Sequence, residues 1–357
     1  MIPTQYKNID TPKKTSVVIL LGLLAYNIPL ITKYLLVGHI TRGYNFSLYA
    51  FTYFNSGFIA RGLIPTLLDI LHLNNEVGFL VIYNITLFFY ILSVIHIAQL
   101  HQLKENFYFI FSFIFLFFGI PHFFFDAFKT DMIIQLLAML VYILLYKKRI
   151  LFSVLVSFIA ILVHEAALFL IIPLFLLLVN DSIYKKYGLV IFIFSGTFLM
   201  LSFSNKLEVY RAIEIIRNFI RTSENIPEMY YIYITNSVQE NRTFFFKDFN
   251  LLKSPVEFSL YLLYFLILLY ISKELLLKNI FKFNWAFLAP LLLCFVAVDW
   301  ARWLCFTFFL SLLFLANSNL LSKQKFLILF WGTIFLGIPI SALVQYSVLK
   351  IILQIIF

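Results

Sequence analysis

Charged residues are scarce in this chain of 357 residues. Asp, Glu, Lys and Arg make up 12% of it, against about 25% in an ordinary globular protein. Cysteine is scarcer still: Cys294 and Cys305 both lie in apolar segments, and they offer neither a disulfide framework nor the spacing of metal ligands. The sequence contains no P-loop and no glycine-rich dinucleotide fingerprint. These absences exclude an ordinary soluble domain and argue against a nucleotide-driven reaction.

Hydrophobic residues are abundant instead, at 62% of the chain, with 45 Phe and 21 Tyr. A run of about 20 apolar residues is what a helix needs to cross a membrane, and such runs recur along the sequence. The predicted fold is all-α: a polytopic integral membrane protein of about 11 transmembrane helices, with residues 1–357 as a single membrane domain. The predicted helices are 16–37, 78–99, 106–120, 131–146, 150–163, 166–180, 187–204, 256–272, 284–299, 303–317 and 326–348.

The stretch 150–180 is ambiguous, because it could be one long helix or two short ones that meet at His164-Glu165. The basic segments "YKKR" (146–149) and "YKKY" (184–187) flank it. Short basic loops stay in the cytoplasm, and only two short helices return the chain to the side where it began. The sequence therefore predicts a turn at His164-Glu165, at the far face or dipping into the membrane.

Lysine and arginine divide between the two faces. With the amino terminus inside, the short loops on the cytoplasmic side hold 14 of the 27 basic residues, and one of the 14 is arginine. The other seven arginines fall outside or at the outer membrane face, where a guanidinium suits phosphate or carboxylate oxygens. These are Arg42, Arg61, Arg211, Arg217, Arg221, Arg242 and Arg302. The net charge of +10 thus reflects topology, and no nucleic-acid partner is expected.

Two outer segments are long. Residues 38–77 form the first outer (periplasmic) loop, and residues 205–255 form one long periplasmic loop. Apolar residues recur at helical spacing over 205–221, a pattern typical of a helix that lies along the membrane surface.

Ionisable residues at membrane depth are costly and often mark functional paths, and four clusters of them map to the predicted outer face. The first is Arg61, followed after Pro65 by Asp69 and His72 on a predicted interfacial helix. Arg61 could equally extend to lipid headgroups.

The second cluster is "IPHFFFDAFKTD" (120–131), whose ionisable residues are His122, Asp126, Lys129 and Asp131. Pairing one helical turn apart, or capping of the next helix by Asp131, explains the second cluster equally well.

The third cluster is His164-Glu165, with no other ionisable residue within about a dozen positions on either side. Desolvation would raise the pKa of this carboxylate unless a cation offset it, which makes Glu165 a general-base candidate. The alternative is a His-Glu pair that connects two short helices.

The fourth cluster is "VDWARW" (298–303), in which Asp299 and Arg302 share a helix face. Its alternative explanation is an internal ion pair without a ligand.

With these clusters and its predicted spans, the chain resembles the Wzy-type O-antigen and capsule polymerases and their EpsG-like relatives. "GFIARGL" (57–63) is similar to a Gly-Phe-x-x-Arg-x-Leu stretch in the first outer loop of such proteins, and "HE" (164–165) and "DWARW" (299–303) are similar to their His-Glu and Asp-x-x-Arg pairs. The Arg-x-x-x-Leu pattern of the related O-antigen ligases, and their histidine followed eleven positions later by glycine, do not occur.

The resemblance implies a metal-independent glycosyltransferase without a cofactor in the bacterial inner membrane, with its active face in the periplasm. It would move a growing glycan from undecaprenyl pyrophosphate onto a lipid-linked repeat unit, with membrane lipids around it and a chain-length regulator as a candidate partner. The resemblance makes Glu165, with His164, the expected base and Asp299 a second choice. The expected pyrophosphate and sugar ligands are Arg61, Arg302, His122, Asp126, Lys129, Arg211, Arg217 and Arg221.

Two other functions stay open. A C-type glycosyltransferase would add a single sugar from polyprenyl phosphate, but such enzymes usually carry an acidic residue early in the first outer loop, whereas Asp69 and Glu76 come late. A transporter or lipid flippase favours charges near the midplane and internal repeats, and neither is evident in the sequence.

Overall fold

The computed structural model describes most of the chain. The described residues are 17, 20–24, 26–28, 48–56, 61–73, 76–103, 106–125, 130–178, 188, 190–191, 193–197, 206–220, 225–235, 240, 254–277, 285–295, 299–340, 343–345 and 347–356. The predicted helices 16–37 and 187–204 are described only in part, and every described position within them is helical.

The described part of the chain is built almost entirely of helices. The α-helices are α1 (Tyr53–Ser56), α2 (Leu63–Ile70), α3 (Glu76–Leu100), α4 (Asn106–Phe115), α5 (Ile120–Phe125), α6 (Asp131–Tyr146), α7 (Ile150–Val163), α8 (Leu168–Leu178), α9 (Val209–Ile220), α10 (Ile232–Thr235), α11 (Pro255–Leu277), α12 (Trp300–Asn317), α13 (Lys323–Leu336) and α14 (Val348–Ile356). Short 3-10 helices cover Leu48–Ala50, Glu165–Ala167, Glu228–Tyr230 and Ala286–Phe295. Strands β1 (Ile338–Ile340) and β2 (Leu343–Gln345) pair antiparallel.

Three helices of the described chain are long and apolar enough to cross a membrane: Gly78–Leu100, Pro255–Leu277 and Trp300–Asn317. Four shorter apolar helical stretches accompany them: Phe107–His122, which joins α4 to the start of α5 through a turn, Asp131–Tyr146, Ile150–Val163, and Glu165–Leu178, which begins with a 3-10 turn. The helical, membrane-compatible fold is thus confirmed, since apolar helices of this length satisfy their own backbone hydrogen bonds in hydrocarbon.

The predicted break of the stretch 150–180 is confirmed. Helix α7 ends at Val163, His164 is extended (φ −163°, ψ 131°), and a 3-10 turn from Glu165 leads into α8. Both α7 and α8 pack along α6. The chain therefore doubles back at His164-Glu165, which places this dipeptide level with the start of α6.

Three predicted helices were wrong in extent or type. The predicted helix 106–120 stops at Phe115 and resumes at Ile120, because the chain turns so tightly at Gly119 that a Cβ there would lie 1.8 Å from the Phe113 carbonyl oxygen. The predicted helix 284–299 contains a 3-10 helix with Pro290 inside it. The predicted helix 326–348 ends at Leu336, where Gly337 (φ 87°) starts the hairpin.

Helix α12 forms the centre of the bundle, and every residue from Ala301 to Ala316 is buried. Its aromatic side chains interlock with those of neighbouring elements: the Phe308 ring lies 4.8 Å from that of Phe117 (centroid to centroid), which in turn lies 4.7 Å from that of Tyr264. The helix that carries Arg302 is therefore held on all sides by apolar packing.

The two ends of the bundle differ in their ionisable residues. One end, which we call the lysine end, carries Lys147 and Lys325. Lys147 Nζ lies 2.9 Å from His96 Nε2, and Lys325 pairs with Glu274. Arg61, Arg211 and Arg302 lie at the opposite end, which we call the arginine end. Among the described residues, the cations Lys147 and Lys325 thus lie at the end opposite to Arg61, Arg211 and Arg302.

Candidate functional site

An ion pair joins two of the predicted clusters at the arginine end. Arg61 donates from Nη2 to Glu165 Oε1 at 2.7 Å and from Nε to both carboxylate oxygens at 3.3 and 3.4 Å. The side chains are 23% and 18% exposed, respectively. A guanidinium that grips a carboxylate through two nitrogens is oriented as well as charged. The extension of Arg61 to bulk lipid headgroups, the alternative explanation, is therefore not what the structure shows.

The backbone around Arg61 is built to hold it. Arg61 adopts a left-handed conformation (φ 64°), which is costly for a residue with a Cβ. Its neighbour Gly62 lies so close to the Tyr53 ring that a Cβ would approach it to 2.4 Å. Thr66 Oγ1 donates to the Gly62 carbonyl at 2.6 Å and accepts the Tyr53 N–H at 2.8 Å. These contacts fix the turn from which the Arg61 side chain reaches Glu165.

His164 caps the helical segment that begins at Glu165. Its Nδ1 accepts the Ala166 N–H at 3.0 Å, in the way that Asn or Ser usually caps an N-terminus. The same nitrogen lies 3.4 Å from Glu165 Oε2. Because Nδ1 already accepts a hydrogen bond, we take this contact as a close approach to a neutral ring rather than as a second ion pair.

A second, deeper ion-pair cluster surrounds Arg302. Its Nε donates to Asp131 Oδ2 at 2.9 Å, and its Nη2 lies 3.3 Å from Asp299 Oδ2, so Asp299 and Arg302 form the internal ion pair that was the alternative explanation of their cluster. His122 Nε2 lies 3.6 Å from the same Asp131 oxygen. Asp131 is 1% exposed, so its carboxylate is held by the buried partners around it. Charges this deep persist only when they are paired.

His164 connects the two ion-pair clusters. The charges of Arg61, Glu165, Arg302 and Asp131 all act on its imidazole ring. The first, third and fourth predicted clusters, at Arg61, at His164-Glu165 and at Asp299-Arg302, thus converge with His122 of the second cluster into one charged site. We call this set, with Asp131, the arginine site.

The long outer loop contributes a helix close by. Helix α9 buries Ala212 and Ile216 against Ala50 and Phe51, and the Arg211 guanidinium donates to the Asn55 carbonyl at 2.8 Å. The two segments predicted to share the outer face therefore contact each other. Burial raises the pKa of Tyr53, which packs on the same cluster, to about 12, so its hydroxyl stays neutral at physiological pH.

Not every predicted ligand joins the arginine site. Arg211 and Arg217 are exposed on α9, where Arg211 holds the segment that leads to Arg61. Asp126, Lys129 and Arg221 lie outside the described residues. Within the described chain, no group of three or more His, Cys, Asp or Glu is arranged to hold a metal ion.

Asp131 is the site residue that sequence reasoning missed. It belongs to the second predicted cluster but is not among the expected ligands, and capping was its alternative explanation; in the structure Thr130 occupies the N-cap position and the Asp131 carboxylate accepts from Arg302. A buried pair of tyrosines, Tyr49 and Tyr83, lies within the electrostatic reach of Asp131, with their hydroxyls 2.6 Å apart. Their signal was hidden because tyrosine is common throughout the chain.

Comparison with known proteins finds no match. No protein-family model, no curated protein and no solved structure matches the chain. The geometry of the arginine site is therefore what supports a function.

Proposed function

We propose that the protein is a polysaccharide polymerase of the bacterial inner membrane. It transfers a growing glycan from undecaprenyl pyrophosphate to a lipid-linked repeat unit at the periplasmic face. The observation that carries the proposal is the bidentate pair of Arg61 with Glu165, because it places a phosphate-binding cation in contact with a candidate base. Arg302 supplies a second cation to the same site.

The unliganded pair keeps both groups inactive, and the substrate releases them. Glu165 cannot accept a proton readily while Arg61 grips both of its oxygens. A pyrophosphate diester is a stronger anionic partner for a guanidinium, since it offers several oxygens with more charge. When Arg61 turns to the pyrophosphate, Glu165 is freed beside the substrate. The base is thus active only when the donor lipid is bound.

The reaction is then a direct displacement at the anomeric carbon. The acceptor hydroxyl gives its proton to Glu165 as its oxygen bonds to that carbon, and the bond from the carbon to undecaprenyl pyrophosphate breaks with its electron pair. Arg61 and Arg302 stabilise the charge that develops on the leaving pyrophosphate, which is where preorganised cations help most. Asp299, 20% exposed and already paired with Arg302, is the second candidate base.

The membrane arrangement in the proposal extends the described fold. About eleven spans carry the chain across the membrane, with the lysine end in the cytoplasm and the arginine end in the periplasm. The helix α9, seated on the first outer segment, lies at the rim of the arginine site and guides the glycan. Membrane lipids surround the bundle, and a chain-length regulator is a possible partner.

Complementation of a polymerase-null strain tests the proposal. Arg61→Ala, Glu165→Gln and Arg302→Ala should each abolish the ladder of glycan lengths and leave a single repeat unit on the lipid. Arg149→Ala is the matched control, because Arg149 is exposed at the lysine end of α7. At equal protein levels, normal ladders from all three site variants refute the proposal. Full-length chains that lack one sugar indicate a C-type transferase instead.

A further inference from the structure

The protonation pattern of His164 follows from its hydrogen bond. Its Nδ1 accepts the Ala166 N–H at 3.0 Å, so the Nδ1 lone pair is in use. A neutral imidazole carries its single hydrogen on the other nitrogen in that case. The ring of His164 is thus fixed as the tautomer with Nε2–H, and a second proton on Nδ1 would break the cap.

The Nε2–H of His164 has no acceptor among the described residues, although it is buried. The side chain is 2% exposed. A buried donor without a partner is rare and costs free energy. The ring that carries this donor lies within the electrostatic reach of Arg61, Glu165, Arg302 and Asp131, and its Nδ1 is 3.4 Å from Glu165 Oε2. The other ring nitrogen contributes to the fold, whereas this one does not.

We propose that His164 is a neutral hydrogen-bond donor to the ligand, and that its Nε2–H binds a phosphate oxygen of the lipid pyrophosphate. This inference rests on the proposed function and assigns His164 a role other than supporting the base. Arg61 and Glu165 are each about one-fifth exposed, and the His164 ring contacts Glu165 through Nδ1 at 3.4 Å, so the ring that carries the donor adjoins the accessible ion pair. When Arg61 exchanges Glu165 for phosphate, the anion is brought towards the unpartnered donor.

A neutral donor suits this position better than a third cation. Arg61 and Arg302 already supply positive charge, and each is balanced by a carboxylate in the unliganded protein. A directed N–H adds orientation for one oxygen without adding charge, which is how preorganised donors stabilise a developing anion.

Two substitutions separate the roles of the two ring nitrogens. His164→Asn places an amide oxygen where Nδ1 was, and Asn is a preferred N-cap in the extended conformation that residue 164 adopts. It keeps the cap and loses the Nε2–H. His164→Gln carries its amide further out, near the position of Nε2, so it keeps a donor and loses the cap.

The test measures binding of farnesyl pyrophosphate to the purified full chain in detergent, with farnesol and inorganic pyrophosphate as competitors. His164→Asn should keep the wild-type melting temperature and bind roughly tenfold to hundredfold more weakly, as expected for the loss of one hydrogen bond to a charged oxygen. His164→Gln should melt earlier and bind within a few-fold of wild type. Inorganic pyrophosphate should compete and farnesol should not.

Other outcomes overturn the inference in distinguishable ways. If His164→Asn binds farnesyl pyrophosphate with wild-type affinity, His164 acts only as a helix cap. If farnesol competes and inorganic pyrophosphate does not, the protein binds the isoprenoid chain of the probe and not its pyrophosphate. If the wild-type protein does not bind farnesyl pyrophosphate at all, the arginine site is not a pyrophosphate site, and the proposed function is refuted as well. Nitrogen-15 spectra of the wild-type histidines give a reading that does not depend on variant folding: a hydrogen on Nδ1 of His164 contradicts the assignment.

Discussion

Arg61 reaches Glu165 from a backbone conformation that an L-residue adopts only at a cost of about 1–3 kcal/mol. Such a conformation persists where the surroundings compensate it, and here the compensation comes from the contacts of Gly62, Tyr53 and Thr66. The strain, the buried turn and the bidentate pair therefore form one unit. Its purpose in the proposed reaction is to present a cation whose partner can be exchanged.

The coupling within this pair is measurable in a double-mutant cycle of Arg61→Ala and Glu165→Ala. Each single change leaves one charge without its partner in a site that is mostly shielded, whereas the double change removes both charges. We expect the double variant to be more stable than the sum of the single changes predicts, by roughly 1–2 kcal/mol, because the pair is partly exposed. Unfolding in detergent, followed by circular dichroism, gives the free energies. Additive effects would mean that the pair contributes no specific stability.

Individual site residues were predictable, but their partners were not. Arg61, Glu165, Asp299 and Arg302 stand out in the sequence because charge in an apolar chain is rare. The pairing of Asp299 with Arg302 followed from helical spacing. The pairing of Arg61 with Glu165 joins residues 104 positions apart, and only the packing of helices decides it. The same holds for Asp131 and Arg302, which are 171 positions apart.

At the scale of elements, apolar runs bounded by polar residues predicted helices well. The bounds of α6 and α7 match the predicted 131–146 and 150–163, because basic loops and polar residues end both runs. Prediction failed where the chain turns without losing hydrophobicity, as in the segment after Leu336. Its residues are mostly apolar through both strands, so composition alone gives little sign of the change from helix to strand.

Gly337 is the residue that makes this change, and a pair of glycine substitutions tests it. Gly337 has φ 87°, so Gly337→Ala should destabilise the protein by about 1–2 kcal/mol. Gly332→Ala is the matched control within α13. There the new methyl group meets only the terminal carbon of Ile267, and the gain in helix propensity is up to about 1 kcal/mol.

Thermal unfolding of the two glycine variants in the same detergent should shift the melting temperature down for Gly337→Ala and leave it unchanged or raised for Gly332→Ala. Equal losses in both would show that the backbone of Gly337 tolerates a side chain. In that case the hairpin would need another explanation, such as the hydrogen bond from the Tyr264 hydroxyl to the Gly337 carbonyl.

At the scale of the whole molecule, the separation of the two ends matters more than any single pair. The lysine end holds exposed cations on short loops, such as Lys148 and Arg149. At the arginine end, Arg61 and Arg302 are paired with carboxylates, and Arg211 donates to a backbone carbonyl. Lys148 suits its exposed loop because ammonium groups are strongly hydrated, whereas Arg61 and Arg302 suit a shielded site because guanidinium groups are more weakly hydrated.

This separation allows the orientation to be measured with two cysteines. Lys148→Cys and Glu214→Cys place thiols at exposed positions of the lysine end and of helix α9. The background has Cys294→Ser and Cys305→Ala, because the native thiols, one half-buried and one buried, would otherwise complicate labelling. A membrane-impermeant maleimide, added to intact cells whose outer membrane passes it, should label Glu214→Cys, and should label Lys148→Cys only after the inner membrane is disrupted.

The labelling outcome decides more than topology. The positive-inside rule predicts that the lysine end lies in the cytoplasm, and the proposed function requires the arginine end to face the periplasm. Labelling of Lys148→Cys alone in intact cells would invert the molecule and place Arg61, Glu165 and Arg302 towards the cytoplasm. A periplasmic polymerase could not operate from there, because its donor and acceptor lipids carry their glycans on the other side. The reversed pattern would therefore eliminate the proposed function even if the charged site itself binds pyrophosphate.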